Sequence, residues 1–192
     1  MLTDSNSYFS VPHQFSVYLS PWDKSLPLPS EDQLRDLQSV GLKLLTDVKG
    51  LEASCLLQLR QIDNEAKAVV DFLKLQSRKI DLVLQHIIES ESHNGDKAQG
   101  LQFGGSGIQV ISTQPLNVGD YYQTQIYIRG ELVAVMCIAQ IKQCQAIGSA
   151  PSSWQCDLDF VQILDDDVEQ LVKASLNVQQ KLLKQRKQKT SN

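Results

Sequence analysis

The amino-acid sequence predicts an α+β protein in which a long helix interrupts a set of antiparallel strands and a second helix ends the chain. Residues 8–19 and several segments between residues 101 and 163 are rich in β-branched and aromatic residues and alternate in polarity, as strands do. Residues 31–90 contain no proline and repeat apolar residues at helical spacing. Residues 165–189 begin with acidic residues and end with basic ones, which suits the dipole of a helix.

Composition argues against several classes of protein. The chain has 192 residues, of which 42% are hydrophobic, so it can bury one core and carry an additional element. Its net charge of −4 is too small to indicate a nucleic acid or an acidic membrane surface as partner. No apolar run approaches the roughly 20 residues of a membrane span, and the first residues do not resemble a signal peptide. We therefore expect a cytoplasmic protein.

The predicted chain organisation has four parts. They are the first strand with a proline-rich loop (1–30), a long inserted helix (31–95), the remaining strands (96–164), and a final helix with a basic tail (165–192). Among the later strands, residues 101–112 are predicted as one strand, and residues 121–128 and 132–141 as a hairpin. The last predicted strand covers residues 154–163. Alternation places four residues in a common core, namely Ile108, Ile126, Ile128 and Phe160.

The inserted helix is predicted to begin at a capping box, with Ser30 as the cap and Gln33 as the third helical residue. If it is continuous to about residue 90, it is roughly 85 Å long at 1.5 Å per residue. A break at Gly50 is the alternative, since Lys49-Gly50 also resembles a helix C-terminus. Apolar residues are spaced by three and four, as in a coiled coil. We call these positions the seam: Leu37, Leu44, Val48, Leu51, Cys55, Leu59, Ile62, Val69, Leu73, Ile80, Val83 and Ile87.

The seam predicts self-association, because each exposed leucine would forgo roughly 1.5–3 kcal/mol of burial. Apolar residues also flank the seam, whereas a two-stranded coil buries mainly the seam itself, so we expect more than two helices. The alternative is that part of this surplus packs on other segments of the same chain. The flanking residues are Val40, Leu45, Leu56, Val70, Phe72, Leu84 and Ile88.

The strand segments together resemble PilZ domains, a family of small antiparallel β-barrels with a C-terminal helix. The resemblance rests on residues 105–110 (GSGIQV) followed by 115–120 (PLNVGD), on residues 154–160 before the final helix, and on residues 8–12 in the first strand. The inserted helix resembles that of a subclass that forms a parallel four-stranded coiled coil. The resemblance therefore implies a PilZ-like barrel that assembles into a homotetramer through its insertion.

Many PilZ domains bind cyclic di-GMP, and the resemblance implies where the ligand residues would lie. The family's Arg-x-x-x-Arg motif falls on Asn6 and Ser10. Its Asp/Asn-x-Ser-x-x-Gly motif falls on Gln102, Gly104 and Gly107, so the final glycine alone is kept. Arginine suits this ligand because its planar fork binds phosphates and guanine edges and its face stacks on rings. We therefore expect ordinary cyclic di-GMP binding to be lost.

No catalytic constellation is visible in the sequence. His13, His86 and His93 are scattered and lack a positioned partner. The four cysteines show no Cys-x-x-Cys and no zinc spacing, so we expect reduced thiols, no metal and no cofactor. The expected function is non-enzymatic interaction with an unidentified protein in cyclic di-GMP-linked or type IV pilus-linked signalling. The alternative is a true cyclic di-GMP receptor that uses other residues, with Arg129 or the basic tail supplying cations.

Overall fold

A computed structural model describes residues 10–59, 67–147 and 153–190. The chain forms two compact units. The first, the barrel unit, consists of Met1–Asp36 and His93–Asn192, and the second, the helical unit, consists of Leu37–Ser92. No helix in the described part of the chain combines the length and apolar character that a membrane crossing requires.

Six antiparallel strands form a closed barrel in the order β1-β2-β3-β6-β5-β4. This barrel, with its helices, confirms the predicted fold class. Residues 101–112, predicted as one strand, belong to two strands that pair with each other across the turn at residues 105–106, so that prediction was wrong. The strands are β1 (Ser10–Trp22), β2 (Asp96–Gly104), β3 (Gly107–Ser112), β4 (Tyr121–Ile128), β5 (Val133–Ala146) and β6 (Trp154–Gln162).

The core of the barrel unit lies between the inward faces of the strands and one helix. Ile108, Ile126 and Ile128 are buried as predicted, whereas Phe160 is half-buried and packs against the edge of the core. The C-terminal helix, Asp165–Thr190, packs against β1, β2 and β5 and contributes three further core residues, Leu171, Ala174 and Val178. Its apolar stripe therefore completes the core that the strands begin.

A polar contact also holds the C-terminal helix on the barrel. The Glu131 carboxylate, in the short 3-10 turn Arg129–Glu131 between β4 and β5, accepts hydrogen bonds from Lys181 Nζ at 2.6 Å and Asn177 Nδ2 at 3.3 Å. Glu131 is largely buried, so its charge needs such partners. The first lysine of the predicted basic tail is therefore paired within the chain.

Gly107 opens β3 where its backbone passes very close to β6. A Cβ atom at this position would collide with the backbone carbonyl oxygen of Leu158. Because Gly107 is paired with Asp159 and its neighbour Ile108 with Leu158, the collision cannot be relieved without shifting the strand pairing. Glycine is thus required here by the closure of the barrel.

The insertion is not one continuous helix, so that prediction was wrong. The described residues of this region form three helices: α1 (Glu31–Leu37), α2 (Val40–Leu59) and α3 (Lys67–Ser90). The predicted capping box at the start of α1 is present, since Ser30 N donates to Gln33 Oε1 and Gln33 N donates to Ser30 Oγ. The helix does not break at Gly50, which lies inside α2 with open space around it.

The break before α2 has a local cause and a distant one. Ser39 caps α2, its hydroxyl oxygen accepting a hydrogen bond from Leu42 N at 3.2 Å. Glu91, just beyond α3, accepts a second one from Gly41 N at 2.7 Å and a third from the Ser39 hydroxyl at 2.6 Å. A carboxylate is favourable there because the helix N-terminus carries unpaired N–H groups and partial positive charge.

Helices α2 and α3 form an antiparallel hairpin, because their contacts run in opposite directions along the two helices. Lys49 bridges Asp81 at 2.6 Å and Glu52 at 3.0 Å near the middle of the hairpin. Burial opposes the charge of Lys49, but its hydrogen bonds to the two carboxylates outweigh this effect and raise its pKa. The pairs that fix the direction are Ser39–Glu91, Lys49–Asp81 and Glu52–Ser77.

Substitution by alanine at two glycines, one in each unit, should have opposite effects on stability. Gly107→Ala should lower the stability of the barrel unit by about 1–3 kcal/mol, because the new Cβ meets the Leu158 carbonyl. Gly50→Ala should stabilise α2 by about 0.5–1 kcal/mol, because alanine fits an open, exposed helical position. Both tryptophans, Trp22 and Trp154, lie in the barrel unit.

Urea denaturation followed by tryptophan fluorescence therefore reports on the barrel unit, and far-UV circular dichroism also reports on the hairpin. The fluorescence midpoint should fall in Gly107→Ala and stay at the wild-type value in Gly50→Ala. An unchanged fluorescence midpoint in Gly107→Ala would contradict the close approach of β3 to β6.

Candidate ligand site and seam face

The structure brings the described ligand-motif positions to one end of β1, β2 and β3. Ser10 lies opposite Gly104 in the pairing of β1 with β2, and Gln102 lies opposite Pro12. Gly107 begins β3 after the turn that follows Gly104. Asn6 lies outside the described residues. The two motif segments are therefore neighbours in space, although their side chains differ from those that the family motif requires.

Acidic side chains stand on the strand beside these positions. Asp159 of β6 lies opposite Gly107, and Asp157 lies opposite Gln109, whose side-chain amide donates to it at 2.7 Å. The ammonium group of Lys142 lies 4.0 Å from the Asp159 carboxylate and partly offsets its charge. Carboxylates at this edge repel phosphate groups, which is the opposite of what a cyclic dinucleotide needs.

A groove of about 610 Å³ lies elsewhere on the barrel unit, and none of the described motif positions lines it. It contains two cationic side chains, Lys97 and Arg129, together with side-chain amides and hydroxyls. Tyr127 also lines it and packs against Tyr18 and His93, at ring-centroid distances of 5.9 and 4.8 Å. The lining residues are Gln14, Phe15, Ser16, Lys97, Ala98, Gln99, Ile111, Thr113, Tyr127, Arg129 and Gly130.

The structure places the three histidines in different surroundings. His13 lies edge-on to Phe103, with ring centroids 6.1 Å apart, and His93 stacks near Tyr18 at 4.2 Å. His86 is an exposed residue of α3. Within the described residues, no three His, Cys, Asp or Glu side chains form a group that could hold a metal ion.

The seam lies beside the contact between α2 and α3, not within it. Among the side chains that the structure describes, the buried apolar ones of the hairpin are Leu42, Leu45, Leu84 and Ile88, three of which were predicted only to flank the seam. Eight seam residues occupy the adjacent positions of the two helices. We call them the seam face: Leu44, Val48, Leu51 and Cys55 on α2, and Leu73, Ile80, Val83 and Ile87 on α3.

Both halves of the seam face point to the same side of the hairpin. Leu44 immediately precedes the buried Leu45, and Val83 immediately precedes the buried Leu84. One residue corresponds to a rotation of about 100° around the helix axis. Because the helices are antiparallel, the step from each buried leucine back to the preceding seam residue turns in opposite senses on the two helices when both are viewed from one end. The two contact sides face each other, so these opposite turns bring the seam side chains of both helices to the same side of the hairpin.

The exposure of the seam face differs from that of an ordinary polar helix surface. Leu51 is 67% exposed and Val83 is 59% exposed, while Val48 and Ile87 are half-buried. The positions on the other side of the hairpin are mostly polar or small, as at Lys43, Thr46, Gly50, Arg78 and Gln85, although Leu75 and Leu82 are also exposed there. The hairpin is therefore a two-helix layer whose seam side is the more apolar of the two.

The four other seam positions are not counted in this face. Leu37 is exposed on α1, and Val69 is exposed near the start of α3. The side chain of Leu59 and all of Ile62 lie outside the described part of the chain.

Asp167, which the sequence analysis did not single out, is a buried carboxyl group near the start of the C-terminal helix. It is 0% exposed, and neither of its side-chain oxygens has a hydrogen-bond partner among the described residues. Burial, together with the charge of Asp166, raises the pKa of this carboxyl to about 7, while the charge of Arg35 acts in the opposite direction. The sequence does not distinguish Asp167 from its neighbours, because it is the third of three consecutive aspartates, of which Asp165 and Asp166 are exposed.

Asp167 should make the barrel unit less stable as pH rises. Below about pH 4 the carboxyl is protonated in both folded and unfolded chains. Between about pH 4 and the folded pKa of about 7, the unfolded chain loses this proton and the folded chain keeps it. The contribution of Asp167 to the free energy of unfolding should therefore fall by up to about 1.4 kcal/mol per pH unit, then level off above the folded pKa.

The measurement is the urea midpoint of tryptophan fluorescence at several pH values. Asp167→Asn should remove this component of the pH dependence and be more stable than the wild type at about pH 8. Asp165→Asn, in the same helical turn but exposed, is the matched control and should retain the wild-type slope. Equal slopes in all three proteins would show that Asp167 does not titrate in this range.

Comparisons with known proteins place the fold. No protein-family model and no curated protein matches the sequence. Among solved structures, the chain is similar to a pathogenic protein from Xanthomonas campestris, described as a tetrameric PilZ domain self-assembled via a helical bundle. The TM-score is 0.56 at 10% sequence identity, over 93% of this chain and 91% of that chain.

A second solved structure, K. pneumonia MrkH in its apo state, has a TM-score of 0.38 at 12% identity, over 48% of this chain and 43% of that chain. The similarity to the Xanthomonas protein spans nearly the whole of both chains, including the insertion. With the closed six-stranded barrel and the C-terminal helix, it shows that the chain has the fold of a PilZ domain with an inserted helical segment.

Proposed function

We propose that this protein is a non-enzymatic PilZ-type interaction module that assembles into a homotetramer through the seam face. The observation that carries the proposal is the exposed apolar side of the hairpin. Ile80 and Val83 on α3 and Leu51 on α2 stand on this side and are each at least 46% exposed. A second copy, with the same apolar side, is the occupant that the chain itself provides.

The energetics favour association of whole hairpins. Each large apolar side chain of the seam face gains roughly 1.5–3 kcal/mol when it goes from full exposure to burial, and partly covered residues gain less. Hairpins that meet through their apolar sides, four of them in the proposed homotetramer, form a helical bundle in which each seam side chain lies against a facing helix. The self-assembly of the Xanthomonas PilZ domain via a helical bundle supports this arrangement.

Hairpin association replaces the single parallel coiled coil predicted from sequence. A parallel four-stranded coil requires one long helix from each chain, whereas here α2 and α3 run antiparallel within a chain. The same seam residues supply the contacts in both arrangements. Because the chain reverses direction between α2 and α3, the seam residues lie side by side on two helices and not in one line along a single helix.

Loss of ordinary cyclic di-GMP binding is the second part of the proposal. Its support is Asn6 and Ser10 in place of the two arginines of the motif, and the carboxylates of Asp157 and Asp159 beside Gly107. Without those cations, a doubly charged cyclic dinucleotide lacks its main source of affinity at this edge. We therefore place the protein in cytoplasmic cyclic di-GMP-linked or type IV pilus-linked signalling, where it acts by binding another protein.

Lysine substitutions on α3 test the seam face with a matched control. Leu73→Lys/Ile80→Lys puts two charges on the seam face, and Leu75→Lys/Leu82→Lys puts two charges, seven residues apart as well, on the other side. All four leucine or isoleucine side chains are 43–62% exposed in the single chain, so neither variant should disturb its folding.

The seam variant should weaken self-association at least roughly 100-fold, because burial of an unpaired ammonium group costs several kcal/mol. The control variant should assemble like the wild type. Light scattering at micromolar concentration measures both. A monomeric wild type, or equal dissociation of the two variants, would contradict the role of the seam face.

A true cyclic di-GMP receptor is the second candidate function, and one observation favours it. Lys97 and Arg129 both line the groove on the barrel unit, where side-chain amides and Tyr127 are also present. Cations with polar groups could bind an anionic nucleotide without the family motif. Arg129, which the sequence analysis named for this role, therefore lies in a surface depression.

Isothermal titration with cyclic di-GMP separates the two candidates. We expect no saturable heat at concentrations that saturate PilZ domains with intact motifs. A saturable isotherm that is lost in Arg129→Ala or Lys97→Ala, and kept in Lys142→Ala, would instead establish the groove as a receptor site. Lys142 is a suitable control because it is an exposed lysine beside the motif positions.

A further inference from the structure

Cys144 and Cys156 form an isolated pair across two neighbouring strands. Cys144 of β5 lies directly opposite Cys156 of β6 in the strand pairing, and their sulfur atoms are 2.7 Å apart. Both are free thiols. Their side chains lie at the edge of the barrel core, where Cys156 is fully buried and Cys144 is partly buried.

The strand pairing suits a covalent link without movement of the backbone. Directly opposed residues of antiparallel strands have Cα atoms about 4.5–5.5 Å apart. Disulfides join Cα atoms about 4.4–6.8 Å apart. The pairs on both sides, Gln143–Asp157 and Gln145–Gln155, keep the two cysteines in register, and closure of the barrel prevents the strands from separating.

We propose that Cys144 and Cys156 are a thiol–disulfide exchange site, which a low-molecular-weight disulfide such as oxidised glutathione converts to an intrachain disulfide. This inference is independent of the seam face and of nucleotide binding. It changes the expectation of four reduced thiols, since two of them are now partners in a specific reaction.

The geometry assigns the order of the two steps. Cys144 is the more accessible of the two thiols, and its sulfur accepts a hydrogen bond from Leu116 N at 3.4 Å. Burial raises the pKa of Cys156 to about 12, and its hydrogen bond with Cys144 contributes. Cys144 is therefore the attacking thiol, and Cys156 is the resolving thiol.

Atoms and electrons balance across the two steps. The Cys144 thiol loses its proton, and the resulting thiolate attacks one sulfur of oxidised glutathione, forming a mixed disulfide and releasing one glutathione thiolate. Cys156 then loses its proton and attacks Cys144 Sγ, which releases the second glutathione. The two cysteines lose two electrons and two protons, and one oxidised glutathione becomes two reduced ones.

The other two cysteines lack this arrangement. Cys137 lies opposite Thr124 in the strand pairing, and its complete burial in the core raises the pKa of its thiol. Cys55 is an exposed residue of α2 in the helical unit. Exchange with a small disulfide should therefore leave Cys55 with a mixed disulfide at most and leave Cys137 unreacted, so the intrachain link is specific to one pair.

The experiment uses the full chain in its folded state. Protein is incubated with oxidised glutathione, quenched with acid, unfolded, treated with N-ethylmaleimide, and digested with trypsin. Both cysteines fall in one peptide, residues 143–173. That peptide should carry no maleimide and weigh about 2 Da less than its dithiol form, and reduction before labelling should restore two maleimide adducts.

Three single-cysteine variants test the roles of the individual thiols. Cys55→Ser should behave like the wild type, because Cys55 belongs to the helical unit and is not a member of the pair. Cys156→Ser should accumulate glutathione on Cys144, because the resolving thiol is missing, and Cys144→Ser should give far slower modification of Cys156. Two maleimide adducts on the wild-type peptide, or a stable glutathione adduct on its Cys144, would overturn the proposal.

Discussion

The pairing of β3 with β6 closes the six-stranded barrel, and the chemistry of the barrel unit depends on that closure. It requires a glycine at position 107, because the Leu158 carbonyl occupies the space of a side chain. It also sets Asp157 and Asp159 beside Gly107 and Gln109 and fixes Cys156 opposite Cys144. A barrel without an open edge thus determines which side chains meet at its surface and which are buried.

Gly107 shows how the fold can require a residue that also matches a ligand motif. The other described positions on which the resemblance places that motif carry different side chains, as with Ser10 at the start of β1 and Gln102 in β2. The glycine has a role that does not require a ligand, since the backbones of β3 and β6 approach too closely for any Cβ atom. Its presence is therefore evidence for the fold and not for nucleotide binding.

The helical unit depends on contacts that are distant in sequence. The Glu91 carboxylate binds the N-terminus of α2 fifty residues away and fixes one end of the hairpin. Lys49, held between Glu52 and Asp81, favours a single alignment of the two helices, since any slip would leave a partly buried charge without its partner. The apolar side that results is available to a second copy because the hairpin's own contacts use the neighbouring positions.

Local sequence determined the features that arise within a few residues along the chain. Alternation placed Ile108, Ile126 and Ile128 in the core, and Ser30 with Gln33 identified the start of α1, because strand faces and capping boxes are short-range properties. The spacing of the seam was also visible from sequence. The reversal of the chain between α2 and α3 was not, since helical periodicity is the same in a rod and in a hairpin.

Tertiary structure decided every feature that needs two distant segments. Ser39 caps α2 together with Glu91, Asp167 loses solvent when the barrel core assembles, and Cys144 meets Cys156 only when β5 and β6 pair in one register. That register includes irregularities on β5 before Cys144, so counting along the strands could not have produced it. Sequence thus determined the elements and their apolar faces, whereas packing decided which faces meet, because burial and strand register are properties of the assembled chain.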